Sequence, residues 1–423
     1  MYAPFSHLLT QPSPTSLRDR YLLVRGHSAE LAAPLSAEDQ CIQSMPDASP
    51  TKWHLAHTSW FFETLVLQGE LPGYEVFDVR FSHLFNSYYE AIGTRHPRAQ
   101  RGLITRPALS EVMAYRAYVD QAMLRLLATA QEHDLARLEP TILLGLNHEQ
   151  QHQELLTTDI LHAFSCNPLL PACGVPINGL SAGDITAANI PKWIHLPGGM
   201  VEIGHTRKTN DGFYFDNETP RHTALLQPYQ LASTLVTCGE FAQFMSDGGY
   251  ERPGLWLSDG WAMCKTLGWC TPAYWYRSED LPPGLKNTSA QWFVFGLNGL
   301  QPMNIHAPVA QLSFYEAAAY AEWAGARLPT EFEWEAAAGA DQLLQMTGSL
   351  WQWTRSSYDP YPGFKPLPGL AAEYNGKFMV GQLVLRGGSI ATPKDHTRPT
   401  YRNFFPPAAR WQFSGLRLAK DAV

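Results

Sequence analysis

The segment HEQQH at residues 148 to 152 combines residue types and a spacing that suit a metal ion. It lies in a stretch that predicts a helix, where residues i and i+4 share one face, so both imidazoles can bind the same ion. The pattern also matches HExxH, in which Glu149 would be the general base of a zinc hydrolase. The alternative without chemistry is a pair of solvated histidines on an amphipathic helix.

Two further histidines, His54 and His57, lie in a second predicted helix with aromatic neighbours, Trp53, Trp60, Phe61 and Phe62. An imidazole in such an apolar stripe can be an ordinary core residue, but helix bundles build metal sites from inward side chains on facing helices. One histidine from this helix and the two of HEQQH would give three neutral nitrogen ligands and leave coordination positions open for substrates. The sequence therefore predicts a three-histidine metal centre, with His54 and His57 as rivals for one position.

Four helices are predicted to position these side chains. One is indicated by apolar residues in steps of three and four, at Val112, Tyr115, Val119, Ala122 and Leu126. The others are expected near residues 16 to 33, from a Ser49 cap with Pro50 in the first turn, and after Pro140. Together they predict an N-terminal four-helix bundle over residues 1–165.

The pattern changes after residue 165. Residues 166–192 are rich in Pro, Gly and Ala without a sustained period, which predicts a linker. In residues 193–423, Gly, Pro and Trp separate short runs, and only residues 314–326 and 330–340 indicate helices. We therefore expect an α+β chain with a helical domain followed by a second domain of short elements.

Composition narrows the possible partners. The 423 residues are 45% hydrophobic and 17% charged, a mix that builds packed cores. The 31 Lys and Arg against 39 Asp and Glu give a formal charge of −8 without a long basic tract, which argues against a nucleic-acid partner. No window approaches the roughly 20 apolar residues of a membrane span, and the N-terminus lacks a secretory pattern. These two features predict a cytoplasmic protein with no membrane partner. Six scattered cysteines form no CxxC pair, so we expect reduced thiols.

Two segments in the bundle resemble a known family. HLAHTSWFFE at 54–63 and HEQQHQE at 148–154 are similar to the DinB-like bundle of the ergothioneine-type sulfoxide synthases. The HxxxHxE motif of that family matches His148, His152 and Glu154. The resemblance implies that His57 is the third metal ligand.

The C-terminal half resembles the formylglycine-generating-enzyme fold, which is C-type-lectin-like. The matching segments include LPGGMVEIG at 196–204, DNETPRH at 216–222, GSLWQWT at 348–354 and LRGGS at 385–389. A formylglycine-generating enzyme binds copper through a cysteine pair in its C-terminal segment, but this chain has no cysteine after Cys270. The resemblance therefore implies a scaffold and substrate wall, with the redox centre in the bundle.

The resemblance also implies a reaction. The family joins a sulfur atom to C2 of the imidazole of Nα-trimethylhistidine (hercynine) and oxidises that sulfur to a sulfoxide. Each step takes two electrons, and together they reduce one dioxygen to water. Zinc has no redox chemistry, so Fe(2+) is the implied cofactor.

The sulfur or selenium donor is less constrained. Cysteine or γ-glutamylcysteine is the expected thiol, and the alternatives are a selenosugar, as in selenoneine synthesis, or an ovothiol-type reaction at another imidazole carbon. A zinc hydrolase is a distant alternative, because the HExxHxxGxxH extension is missing. Another alternative is a binding module without catalysis. The three intact histidines, His57, His148 and His152, argue against it, because such a module would not require them.

The family pattern assigns hercynine contacts to Gln151 and Asn403. Phe404 and Phe405 would face its trimethylammonium group, which cannot donate an N–H hydrogen bond and is recognised by aromatic faces and oxygen atoms. Without the resemblance, Gln151 would be interpreted as an exposed helical residue, and both Phe404 and Phe405 as ordinary core.

The loop at residues 86–102 supplies the remaining candidates. The resemblance implies that Tyr88 or Tyr89 donates a proton during the reaction. Arg95 and Arg98 would bind the carboxylate of an amino-acid thiol, because a guanidinium pairs with a carboxylate through two parallel hydrogen bonds. The alternative for these arginines is a solvated basic turn.

Overall fold

The computed structural model describes residues 16–175, 192–206, 212–282, 284–286, 290–367 and 375–422. Its first part is helical, and its second part combines short helices with small sheets, which confirms the predicted α+β class. Most of the predicted linker at 166–192 lies outside the described residues. None of the described helices is long and apolar enough to cross a membrane.

Residues 16–175, the described portion of the N-terminal part, contain six α-helices. They are α1 (Leu17–Ala32), α2 (Thr51–Phe62), α3 (Gln68–Glu70), α4 (Phe81–Phe85), α5 (Leu109–Thr129) and α6 (Glu132–Ser165). The long helices α1, α2, α5 and α6 pack around one apolar core, as the sequence predicted. All residues of α2 are buried, so this helix is enclosed by the others rather than amphipathic.

A glycine allows α6 to approach α2 closely. A Cβ atom at Gly145 would lie 2.7 Å from the ring of Phe62 and 2.8 Å from the ring of Phe61. Such distances are too short for real contacts, so a side chain at this position would push the helices apart. Because His148 is one turn further along α6, this close approach determines the distance between His148 and α2.

Two predicted helix starts are wrong. Pro50 is the N-cap of α2 rather than a first-turn residue, and the hydroxyl of Ser49 does not cap the helix but accepts from Arg101. Helix α6 begins at Glu132 and passes through Pro140. Pro140 and Ala136 both lie on exposed surface, where water can satisfy the carbonyl group that a proline leaves without an N–H partner.

Among the residues that the structure describes from 192 onward there are four α-helices and twelve short strands. The helices are α7 (Cys238–Ser246), α8 (Ser258–Leu267), α9 (Phe314–Trp323) and α10 (Glu331–Ala337). The strands are β1 (Trp193–Leu196), β2 (Gly199–Ile203), β3 (His222–Leu226), β4 (Tyr229–Ala232), β5 (Trp275–Arg277), β6 (Trp292–Gly296), β7 (Gly299–Pro302), β8 (Trp351–Ser357), β9 (Leu383–Arg386), β10 (Asn403–Phe405), β11 (Ser414–Gly415) and β12 (Ala419–Asp421). Helices α9 and α10 confirm the two predicted in this part, whereas α7 and α8 were not predicted.

These strands form four small sheets. Their orders are β1-β4-β12, β2-β3, β5-β6-β7 and β10-β9-β8-β11, and β11 is parallel to β8 while the other pairs are antiparallel. In the last sheet, Asn403 of β10 lies opposite Leu385 of β9. Strand β8 begins at Trp351, whose indole reaches helix α6 of the bundle. This sheet therefore contacts the helical part of the chain through Trp351.

Candidate metal centre

Three histidines meet between α2 and α6. They are His57, His148 and His152, and their ligand atoms all lie within 4.8 Å of one another. His57 is completely buried and His148 is 2% exposed. The Nε2 atoms of His57 and His148 are 3.1 Å apart, and two ligands at a right angle around an ion with metal–nitrogen bonds of about 2.1 Å would be separated by about 3.0 Å. The residues present therefore fit a bound metal ion.

The orientation of His57 is fixed on both sides. Its Nδ1–H donates to the carbonyl oxygen of Phe85 at 2.6 Å, which leaves Nε2 with a lone pair toward His148. Its ring stacks on Trp53 at 4.6 Å and on Trp60 at 5.5 Å, both nearly parallel. The aromatic residues that surround the histidines in the sequence thus hold the imidazole of His57 in one plane.

Burial also sets the charge of the three histidines. It lowers the pKa of His57 and His152 well below the usual value and lowers the pKa of His148 to about 3. All three imidazoles are therefore neutral at neutral pH. A metal ion needs this form of the ligand.

Glu149 is held in a separate buried cluster. Its carboxylate accepts hydrogen bonds from Arg116 at 2.6 Å, Arg25 at 3.0 Å and the hydroxyl of Ser28 at 2.6 Å. Burial acts to raise its pKa, but the charges of Arg116 and Arg25 outweigh this effect and lower the pKa to about 2. A carboxylate fixed in this way does not suit the general base of an HExxH hydrolase, so the geometry is against the zinc-hydrolase alternative.

The acidic residue of HxxxHxE lies at the interface between the two parts of the chain. Glu154 accepts hydrogen bonds from Trp351 Nε1 at 2.7 Å, Ser389 Oγ at 2.6 Å and Thr392 Oγ1 at 2.7 Å. Burial raises its pKa. The carboxylate therefore links α6 to the C-terminal part and lies apart from the three-histidine group. The sequence motif alone did not predict this role.

Gln151 lies at the edge of the same interface. Residues along a helix turn by about 100° each, so Gln151 falls between the face of His148 and His152 and the face of Glu154. Its Nε2 donates to the hydroxyl of Tyr401 at 2.7 Å. The structure thus places the predicted hercynine contact beside the three-histidine group, supported by the C-terminal part.

The neighbouring predicted contacts lie on β10. The side-chain oxygen of Asn403 accepts the backbone N–H of Phe404 at 2.9 Å. The ring of Phe404 stacks on Tyr358 at 4.0 Å and lies 6.0 Å from Phe378. Phe405, on the opposite face of the strand, packs at right angles to Trp411 at 5.7 Å.

The two predicted tyrosines occupy different surroundings. Their rings stack at 4.7 Å. Tyr89 is completely buried, and its ring lies 5.6 Å from Trp60, which stacks on His57. Tyr88 is half-buried and lies 5.6 Å from Phe378, the residue that also contacts Phe404.

The arginines of the loop separate into surface and buried residues. Arg95 is exposed and pairs with Glu90 at 2.8 Å, and Arg98 is exposed and donates to the backbone carbonyl of Asp47. Arg101, which sequence reasoning did not single out, is 4% exposed, and its guanidinium lies 3.3 Å from the centre of the Trp53 ring. Burial lowers the pKa of Arg101 to about 8. The sequence feature that could have indicated this contact is the run of aromatic residues on α2, because a buried guanidinium packs favourably on an aromatic face.

Comparisons with known proteins agree with both parts of the fold. Residues 20–156 match the DinB superfamily, and residues 181–343 and 340–422 match the sulfatase-modifying factor enzyme 1-like domain. A formylglycine-generating enzyme of Mycobacterium tuberculosis is 34% identical over 34% of this chain and 50% of its own length. The fold and site thus define a DinB-type bundle with a three-histidine group, joined to a sulfatase-modifying-factor-like domain.

Two relatives extend over nearly the whole chain. The hercynine oxygenase of Mycolicibacterium smegmatis is 31% identical over 90% of this chain and 92% of its own length. The hercynine oxygenase of Mycobacterium tuberculosis is 31% identical over 90% of this chain and 93% of its own length. The chain therefore belongs to the hercynine oxygenase family, and it is an oxygenase, which confirms the resemblance drawn from the motifs.

Proposed function

We propose that this enzyme is an Fe(2+)- and dioxygen-dependent sulfoxide synthase that joins the sulfur of a small thiol to the imidazole C2 of hercynine. The observation that carries the proposal is the group of three neutral histidines between α2 and α6, in a chain of the hercynine oxygenase family. Three ligands on one side of an ion leave its other side open to small molecules.

His57, His148 and His152 are the residues that would hold the iron. Bound iron supplies the redox chemistry with dioxygen that zinc lacks. The chain itself supplies neutral imidazoles in fixed orientations, and the rings of Trp53, Trp60 and Phe61 exclude water around them.

The hercynine site is proposed to lie between α6 and β10. Gln151 and Asn403 would offer polar contacts from two sides, with the Gln151 amide held by Tyr401. Phe404, stacked on Tyr358, would present an aromatic face to the trimethylammonium group, while Phe405 would support the strand from its other face. This arrangement would favour a quaternary ammonium over a primary amine, because an aromatic face attracts the cation without an N–H hydrogen bond from the ligand.

Tyr88 and Tyr89 are proposed to act on the proton balance of the reaction. A phenol hydroxyl donates a proton to developing negative charge and takes it back from solvent afterwards. Tyr89 is linked through Trp60 to His57, and Tyr88 faces the aromatic residues next to Phe404. Either hydroxyl would serve without contributing to binding in the ground state.

The thiol donor is the part of the proposal with a competing candidate. Arg95 and Arg98 would have to turn from Glu90 and Asp47 to bind the carboxylate of cysteine or γ-glutamylcysteine. Because both guanidinium groups already have partners, the geometry also favours a neutral donor such as a selenosugar. The second candidate function is therefore selenoneine synthesis with the same hercynine site.

The test is an in vitro reaction with iron-loaded protein. The enzyme is loaded anaerobically with Fe(2+), mixed with hercynine and one donor, and exposed to dioxygen, and products and oxygen consumption are measured. Cysteine, γ-glutamylcysteine and selenoglucose are compared by kcat/KM at fixed hercynine concentration. A sulfoxide from either thiol supports the proposal, and a selenium product with inert thiols supports the second candidate. No hercynine-dependent oxygen consumption with any donor would refute both.

A further inference from the structure

A hydrogen-bonded chain leads from His152 away from the metal centre. The Nδ1 atom of His152 lies 2.8 Å from Nδ1 of His54, and Nε2 of His54 lies 3.1 Å from Oδ2 of Asp159. His54 is 3% exposed and Asp159 is 5% exposed, so water competes little for these contacts. His54 is the fourth histidine of this region and lies outside the three-histidine group.

The chemistry of the acceptor fixes the order of the hydrogen bonds. An ionised carboxylate only accepts, so Nε2 of His54 carries the proton that is donated to Asp159. Only one proton lies between the two Nδ1 atoms, and the arrangement that leaves Nε2 of His152 available to an ion has Nδ1 of His54 as the acceptor. His152 therefore donates from Nδ1, which leaves its Nε2 as the nitrogen that can bind an ion.

We propose that His54 and Asp159 are positioning residues that hold His152 in the tautomer and orientation that bind metal through Nε2. This inference rests on the metal centre of the proposed function. It assigns His54 a role behind a ligand rather than at the ion. A histidine ligand commonly donates its other N–H to an acceptor, and loss of that acceptor weakens metal binding.

The packing around the chain supports a positioning role. Asp159 follows His152 by seven residues on α6, and this spacing places both on the same face of the helix. Its Oδ2 also accepts the backbone N–H of Ser49 at 2.8 Å, and the hydroxyl of Ser49 accepts from Arg101 at 2.9 Å. The chain thus ties α6 to the start of α2, the two helices that carry all three histidines of the site.

His57 has an equivalent anchor in the carbonyl group of Phe85. A backbone carbonyl is supplied by the fold whatever the side chain, whereas the anchor of His152 depends on two side chains. The structure therefore makes His152 sensitive to substitutions at His54 and Asp159, which do not belong to the three-histidine group.

The first test is the Asp159→Asn variant in the full chain. An amide can present its NH2 group to His54 and reverse the hydrogen-bond order, so the variant is expected to bind Fe(2+) about 10- to 100-fold more weakly than the wild type. The probe is Fe(2+) alone, titrated anaerobically against a chromophoric chelator. The matched control is Asp120→Asn, which alters a bundle carboxylate that accepts from Tyr21 and Arg25. A dissociation constant for Asp159→Asn equal to that of the control would overturn the inference.

A second pair of variants separates positioning from packing. His54→Gln keeps an oxygen acceptor for His152, whereas His54→Leu keeps similar bulk without one. We expect the Gln variant to recover most of the affinity that the Leu variant loses, with similar melting temperatures for the two metal-free proteins. Equal loss in both variants would show that His54 acts only through packing and would overturn the inference.

The same titration distinguishes this inference from the proposed function. If the wild type binds Fe(2+) and the variants bind equally well, the inference fails while the proposed metal centre stands. If the wild type binds no Fe(2+), the proposed function fails, and the inference fails with it.

Discussion

The Glu149→Gln substitution should destabilise the protein without removing a reacting group. The carboxylate is completely buried and neutralises two buried guanidinium groups, Arg25 and Arg116. Its pKa falls from 4.5 to about 2, and at 1.36 kcal/mol per pKa unit this corresponds to about 3 kcal/mol of stability at neutral pH. Loss of one partner from a buried ion pair costs about 3–5 kcal/mol in other proteins, which is a loss of the same size.

The pH dependence has a defined sign. Because the pKa of Glu149 is lower in the folded protein, its contribution is present above about pH 4.5 and is lost as the pH falls toward about 2. Unfolding by urea, followed by circular dichroism at pH 7, should show the full loss in Glu149→Gln. The difference between wild type and variant should shrink as the pH is lowered through this range.

A surface carboxylate provides the control. Glu70 forms a bidentate ion pair with Arg137, whose side chain is 55% exposed. Glu70→Gln should therefore lower the free energy of unfolding by less than about 1 kcal/mol. If Glu149→Gln unfolded at the wild-type urea concentration and yet abolished turnover, Glu149 would have a chemical role. That result would refute the interpretation of its ion pairs.

Four further predictions concern the site and its interface. His57→Ala should abolish the binding of about one iron per chain, measured by metal analysis, and the ligand assignment fails if His57→Ala keeps full iron binding and activity while His54→Ala loses both. Tyr88→Phe or Tyr89→Phe should lower kcat for sulfoxide formation with little change in KM, and unchanged turnover in both single variants and the double variant would remove the pair from the mechanism. Glu154→Leu should lower stability by about 3 kcal/mol, measured by urea unfolding, because two buried donors, Trp351 and Ser389, and the half-buried Thr392 lose their acceptor; a change below about 0.5 kcal/mol would contradict this role. Formylglycine formation on a substrate peptide should be absent, since no cysteine follows Cys270, and its detection by mass spectrometry would contradict that expectation.

The bundle was predictable because its signals are local. Apolar spacing at 3.6 residues per turn marks the helices, and the i and i+4 histidines lie on one turn of α6. The third ligand position was harder, because His54 and His57 are three residues apart and share a face of α2. The choice depends on how α6 is rotated against α2, which brings His152 to His54 across 98 residues of sequence. A local sequence pattern does not predict how two helices are rotated against each other.

Residues that act across the interface escaped prediction for the same reason. The HxxxHxE motif includes Glu154 but says nothing of its partners, which come from β8 and the loop after β9. Arg95 and Arg98 were chosen for their type, whereas Arg101 is the arginine that the fold buries against Trp53. Burial of a charged side chain is decided by tertiary packing, so residue type and spacing were not sufficient.

The contact at Glu154 has a consequence for how the two domains can be recombined. The carboxylate lies two residues after His152 on the same helix, and all three of its donors belong to the other domain. A chimera that combines this bundle with another C-terminal domain would retain the histidines, but it would need hydrogen-bond donors at the positions of Trp351, Ser389 and Thr392 to give the carboxylate its partners. The two domains are therefore coupled through this helix, and any recombination has to preserve the carboxylate and its three donors together.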